Sequence, residues 1–333
     1  MAEVTISSAG EVSSEPWFTR GDVDLLLYRV NRRPITADPS LFEPEANLMS
    51  HLERVLSRSQ PGQSGTKNRR DWRLGNLRFG GASFTGQLGW ERSGATLGQS
   101  WDDNTHSWIE RVVAKDDSAV APMAFDSRGR ILGVLRHPSF STSENALPDV
   151  LSQILNRGEN QEDVPTTRWA VEPLGDTADF YGWLESLDQL NILRMIFNRP
   201  NPDGEEAFQE LFERLDALRA EQIKEEIRAR DQDSGLARDA IQTDRTTQGF
   251  LIAALDHAFG RIWAKGRRGG KQVTYDQRAN VARQAISDVG DDWETATTTV
   301  LAAVADRSNR QVTDGQDAQP SGLLDQRPPL EDS

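Results

Sequence analysis

Between residues 74 and 136 the apolar side chains recur in short runs bounded by turn-forming residues, with the period of strands and not of helices. The runs lie at 74–79, 83–90, 108–114, 120–125 and 130–136, and Asp126-Ser127-Arg128-Gly129 joins the last two as a hairpin turn. A chain with this block must build a sheet first. An earlier run, residues 23–30, is short and apolar between Gly21 and Asn31-Arg32-Arg33-Pro34, the pattern of a buried strand.

Helical stripes flank the block. Leu48, Met49, Leu52, Val55 and Leu56 fall at helical spacing, with Pro44 suited to a first turn. Leu147, Val150, Leu151, Ile154 and Leu155 repeat that stripe, with Pro148 near the start and Gly158 as the expected stop.

The polar stretch 160–165 separates two patterned regions. Beyond it, residues 169–174 read as a strand, Asp176 or Thr177 as an N-cap, and Phe180, Trp183, Leu184 and Leu187 as one helical face. A strand at 191–198 completes a unit long enough for a right-handed parallel crossover. Residues 205–231 then suggest a long charged helix, apolar at Phe208, Leu211, Phe212, Leu215 and Leu218, with Ile223 and Ile227 displaced around the axis. Residues 249–255, a short apolar run that fits a buried strand or a helical segment, are read as a strand. Runs at 261–267 and 271–275 flank a hairpin tip, Arg268-Gly269-Gly270. Two helices close the fold, one carrying Ala282, Ala285, Ile286 and Val289, the other Trp293, Ala296, Val300, Leu301 and Val304.

These readings give an α+β class, with mixed sheets and helices packed on them, in the manner of two ferredoxin-like halves. The divisions are a disordered start at 1–15, a sheet-rich half at 16–159, an α/β half at 166–310 and a disordered acidic tail at 311–333. The 333 residues contain no cysteine, which excludes disulfides, thiol catalysis and cysteine-ligated zinc. The start lacks the basic and apolar regions of a signal peptide, and no apolar run approaches the ~20 residues of a membrane span. A cytoplasmic protein without membrane partners is expected. A net charge of -14 repels nucleic acid over the surface as a whole, so any such contact must be local.

Catalytic motifs fail on inspection. In Gly81-Ala82-Ser83-Phe84-Thr85-Gly86 the second glycine comes one residue late for a nucleophile elbow. Around Gly269-Gly270-Lys271, Lys265 stands where a phosphate-binding loop needs its first glycine and Gln272 where it needs Ser or Thr. No lysine has a carboxylate two residues before it, as a restriction-type nuclease strand requires, and no histidine has an arginine five residues upstream. No cofactor is expected. The remaining acid–base or metal candidates are Asp102, Asp103 and His106, joined by His257 beside Asp256; a polar loop between strands is the plainer reading of the first three, and a turn residue that of His257.

Basic residues concentrate at Arg69, Arg70, Arg73 and Arg78 and again at Arg261, Lys265, Arg267, Arg268 and Lys271. A cationic hairpin tip with two glycines is suited to a phosphate backbone, so the second set is the candidate nucleic-acid contact.

The segments Arg168-Trp169-Ala170-Val171-Glu172-Pro173 and Phe197-Asn198-Arg199-Pro200-Asn201-Pro202, on to the hairpin after Gly260, resemble parts of uncharacterised prokaryotic proteins encoded in antiviral-defence or toxin–antitoxin neighbourhoods. The resemblance implies a bacterial protein working with a partner encoded nearby. The expected role is an interaction or regulatory component of such a system, acting by protein contacts and by local nucleic-acid binding. The alternatives are a metal-dependent hydrolase or nuclease and a structural subunit.

Overall fold

The computed structural model describes residues 16–19, 21–35, 48–64, 70–91, 95–102, 107–114, 118–140, 144–162, 165, 167–198, 208–231 and 234–317. The first half contains β1 (Val23–Pro34), α1 (Leu48–Ser57), β2 (Gly62–Ser64), β3 (Arg70–Gly80), β4 (Ser83–Glu91), β5 (Ala95–Asp102), β6 (Ser107–Ala114), β7 (Ser118–Asp126), β8 (Ile131–Leu135) and α2 (Leu147–Glu159). The second contains β9 (Thr167–Pro173), α3 (Thr177–Glu185), β10 (Gln189–Asn198), α4 (Gln209–Ala217), β11 (Gln222–Arg228), α5 (Arg238–Thr243), α6 (Arg245–Leu255), β12 (Gly260–Arg268), β13 (Lys271–Asp276), β14 (Arg283–Ile286) and α7 (Trp293–Asp317). The class is α+β. No described helix is long and apolar enough to cross a membrane.

One sheet runs in the order β14-β1-β8-β7-β4-β3-β2, and β9 also pairs with β1. A second runs β11-β10-β12-β13, and β5 pairs with β6 alone. Every described strand pair is antiparallel.

Strand β1 is the hub of the large sheet. One edge pairs with β8, and the other is divided between β14, at Val23 to Leu26, and β9, at Tyr28 to Pro34. The gap between these two partners is closed by a ring of backbone bonds. Leu27 N donates to Ala282 O at 3.2 Å, Ala282 N to Leu174 O at 2.7 Å, and Leu174 N to Leu27 O at 3.0 Å. A central strand needs apolar residues on both faces, which is why Leu25, Leu26, Leu27 and Tyr28 run without a polar interruption. Leu26, Tyr28 and Val30 join the core beneath α1 and α2 with Trp72, Phe84 and Leu88. Leu25 and Leu27 join Ile131, Leu135 and the α7 residues Ala296, Val300 and Val304 on the opposite face.

A buried carboxylate ties the first face together. Glu159, at the end of α2, accepts from His51 Nε2 at 2.8 Å, Trp169 Nε1 at 3.0 Å and Thr167 N at 3.1 Å, joining α1, α2 and β9. Burying such a charge is tolerable only with donors of this kind around it.

The second sheet covers its own core. Leu193, Met195, Phe197, Ile262 and Ala264 pack with Phe180 and Leu184 of α3, Leu215 of α4, and Phe250 and Leu251 of α6. Asp176 caps α3 by accepting from Ala178 N and Asp179 N, and Asp244 caps α6 by accepting from Thr247 N.

Several expectations need correction. β9 and β10 belong to different sheets, so α3 connects two sheets and makes no parallel crossover; parallel ferredoxin-type pairs are absent among the described residues. The stretch 205–231 is not one helix. Helix α4 ends at Ala217, Arg219 takes a positive φ of 50°, and β11 follows, paired with β10. Residues 249–255 are helical, within α6, and residues 283–286 form β14 where a helix was expected. Helix α2 runs through Gly158 to Glu159. Glycine is required there by close packing, because a Cβ would stand 2.1 Å from Val55 O of α1. Helix α7 continues to Asp317, into the stretch read as a tail, and Gln311 is buried with its Nε2 donating to Asp256 O.

Candidate nucleic-acid interface

The hairpin after Gly260 is set by alternation and by its turn. Ile262, Ala264 and Gly266 face the core, which leaves Arg261, Trp263, Lys265 and Arg267 on the opposite face of β12. Gly269 and Gly270 have φ of 56° and 74°, the left-handed pair that a two-residue hairpin turn needs. Arg268 and Lys271 pair across its base.

The ladder brings further residues to the same outer face. Arg261 lies opposite Ile196, Trp263 opposite Arg194, and Lys265 opposite Ile192. On the far side of β10, Ile196 meets Lys224, Arg194 meets Glu226, and Ile192 meets Arg228. On the β13 side, Trp263 meets Asp276, Lys265 meets Thr274, and Arg267 meets Gln272. Isoleucines 192 and 196 and Trp263 therefore form an apolar centre. Six cations surround it, Arg194, Lys224, Arg228, Arg261, Lys265 and Arg267, against the two carboxylates Glu226 and Asp276. Lys224, Arg228 and Arg267 are exposed, and the central residues are partly so.

The two carboxylates do not cancel this field; they arrange it. Glu226 Oε2 accepts from Arg194 Nε at 2.6 Å, and its Oε1 accepts from Arg228 Nε. These two arginines hold its carboxyl below the ordinary glutamate range. So fixed, the Arg194 guanidinium lies 5.2 Å from the centre of the Trp263 ring, within cation–π range. Asp276 accepts two bonds from Arg261 Nη2, at 2.9 and 2.8 Å. Arg261 is thereby half withdrawn from solvent.

Next to Arg261 the sheet face meets a second charged group. Glu172 of β9 is raised above its ordinary pKa by burial, while Arg278, Arg33 and Arg261 oppose that shift. Arg278 Nη1 also donates to Asp149 Oδ2 at 3.1 Å.

The five cations expected to act together are thus divided. Arg261, Lys265 and Arg267 share the open face. Arg268 points to the other side, its Nη2 donating to Ser186 Oγ after α3, and Lys271 stands beside it on the turn. Arg194, Lys224, Arg228, Glu226 and Trp263 belong to the site and were not singled out from sequence. The alternation in 260–267 was a usable signal for Trp263; Lys224 and Arg228 were hidden inside the misread helix.

Of the acid–base candidates, His257 does not reach this face. His257 is buried between aromatic rings, 4.9 Å from Phe208 and 5.9 Å from Phe259 between centroids. Its neighbour Asp256 accepts from Thr177 N at 3.0 Å and Thr177 Oγ1 at 2.7 Å, which fastens α6 to α3. The backbone of Asp102 ends β5, whereas Asp103 and His106 lie outside the described residues. Among the described residues no three His, Asp or Glu side chains are grouped to hold a metal.

Residues 114–300, more than half of the 333, match the family model described as a domain of unknown function, DUF4747, and the chain belongs to that family. The match spans the whole second sheet and leaves β1 outside. Comparison with curated proteins finds no match.

Proposed function

We propose that this DUF4747 chain is a nucleic-acid-binding module whose contact surface is the open face of the second sheet. The observation that supports it is the reversal of charge: six cations against two carboxylates on one face of a chain with a net charge of -14. A local positive field on an acidic surface attracts phosphate and orients the approaching strand. With Arg194, Arg228 and Arg261 engaged by carboxylates, the cations left for phosphate are Lys224, Lys265 and Arg267. About three phosphate contacts give modest affinity and a logarithmic salt slope of about -2 to -3. In a defence or toxin-type system, as the sequence resemblance implies, such a module would act as the interaction component that brings a partner encoded nearby to nucleic acid.

The test is a fluorescence-anisotropy salt series with unrelated oligonucleotides, comparing wild type with the double variant Lys265→Ala, Arg267→Ala. The variant should bind more weakly whatever the sequence, with a slope shallower by one to two units, because these contacts read the backbone and not the bases. Equal affinities and slopes for both proteins would remove the reading.

A further inference from the structure

We infer that the occupant of this face is a single strand, with one base stacked on Trp263. The inference rests on the nucleic-acid reading above and specifies its substrate class. Salt attraction alone explains the cationic rim but not the centre. Trp263 sits on β12, one of the two inner strands, with its ring partly exposed, and Ile192 and Ile196 lie on the neighbouring strand β10. A duplex presents phosphates outward and keeps its bases stacked on one another, so it would leave these three side chains against charge and water. A single strand offers both surfaces at once. Its backbone can follow the rim while an unstacked base covers the ring.

The placing of Arg194 supports the same occupant. Glu226 fixes its guanidinium and offsets its charge, which makes it a weak phosphate ligand and a well-positioned planar neighbour of the Trp263 ring. Indole rings and arginine planes are the side-chain surfaces on which bases stack. Lys265 and Arg267 follow Trp263 along the same face of β12, so a strand leaving the ring passes directly over them.

The experiment uses the full chain and four probes: a mixed-sequence single strand, the duplex of the same length, an abasic single strand of that length, and a polyglutamate peptide. Wild type should bind the single strand more tightly than the duplex, and the abasic strand about tenfold or more weakly than the normal one. Trp263→Ala should lose about tenfold or more on the normal strand, with no loss on the abasic strand and an unchanged salt slope. Trp263→Phe, which keeps a ring and guards against a folding artefact, should retain most of the affinity. The Lys265→Ala, Arg267→Ala variant should instead lose slope on every nucleic-acid probe. If wild type binds the abasic strand as well as the normal one, or prefers the duplex, stacking is refuted while the nucleic-acid reading survives. If no oligonucleotide binds, both fall. Tighter binding of polyglutamate than of the strand would replace both with an acidic protein partner.

Discussion

Gly158 of α2 passes Val55 of α1 so closely that a Cβ on the glycine would stand 2.1 Å from the Val55 carbonyl oxygen. Two effects of Gly158→Ala then compete. Alanine favours a helix by ~0.5–1 kcal/mol, but forcing the helices apart in a packed core costs ~1–3 kcal/mol, so the clash should win. Urea unfolding should show a net loss of about 1–2 kcal/mol. A neutral or stabilising result would mean that α1 and α2 separate freely.

The Glu159 carboxylate of α2 serves three donors from two other elements, α1 and β9. Glu159→Ala would leave His51 Nε2, Trp169 Nε1 and Thr167 N without it inside the protein, at a cost of about 3–5 kcal/mol. Glu159→Gln keeps an acceptor oxygen and should cost less than half as much. Comparing the two variants by denaturation separates the loss of hydrogen bonding from the loss of charge, and equal costs would contradict this account.

Leu184 is fully buried between α3 and the second sheet. Leu184→Ala should lower stability by roughly 2–5 kcal/mol. A loss below about 0.5 kcal/mol would show that α3 does not depend on this contact.

The C-terminal helix allows a more discriminating experiment. Truncation after Arg310 removes Gln311, which is buried and bonded to Asp256 O at the end of α6. Losing one buried hydrogen bond and its packing should cost ~1–2 kcal/mol, a fall of a few degrees in Tm. Truncation after Asp317 should leave Tm unchanged, because residues 318–333 have few large apolar side chains with which to dock.

Glu172 gives stability a pH dependence of unusual sign. Its native pKa stands above the unfolded value, so the folded state binds the proton more tightly. Its contribution is least favourable above the native pKa and improves as pH falls through that value toward the unfolded one near 4.3. Most paired carboxylates behave in the opposite way. Relative to Glu172→Gln, wild type should therefore gain stability between neutral pH and about pH 4.5, followed by urea midpoints. A widening deficit of wild type over that range would reverse the assignment.

The elements that could be read from sequence are those with one period and one buried face. Leu48, Leu52, Val55 and Leu56 permitted only a helix, and the two glycines after Arg268 permitted only a tight hairpin. Each misreading has a physical cause. Ile223 and Ile227 are four residues apart, a spacing that keeps two side chains on one face in a helix and in a strand alike, so the charges of β11 could not decide between them. Residues 250, 251, 253, 254 and 255 are all buried and the exposed Ile252 between them is apolar, so the run 249–255 has no polar side to reveal its turn. Ala282, Ala285, Ile286 and Val289 do have helical spacing, but hydrogen bonds to β1 outweigh it. The candidate site was half legible for the same reason. Its cations on β12 are neighbours in sequence, whereas Arg194, Lys224 and Arg228 join them only through the register of three strands.

The divided edge of β1 also sets an order of events. This strand is synthesised before its three partners, yet it can be completed only when Ile286 arrives to pair with Val23. Until then the nascent chain carries an apolar strand with unpaired amides, the kind of edge that other chains extend into aggregates. Its partners lie far along the sequence, so the sheet must close through long loops and should fold slowly. A fragment ending before residue 283 leaves Val23 to Leu26 permanently without their β14 partner. Expression of the family-matching region alone meets the converse difficulty, since residues 114–300 hold β8, β9 and β14 without β1, the strand with which each of them pairs.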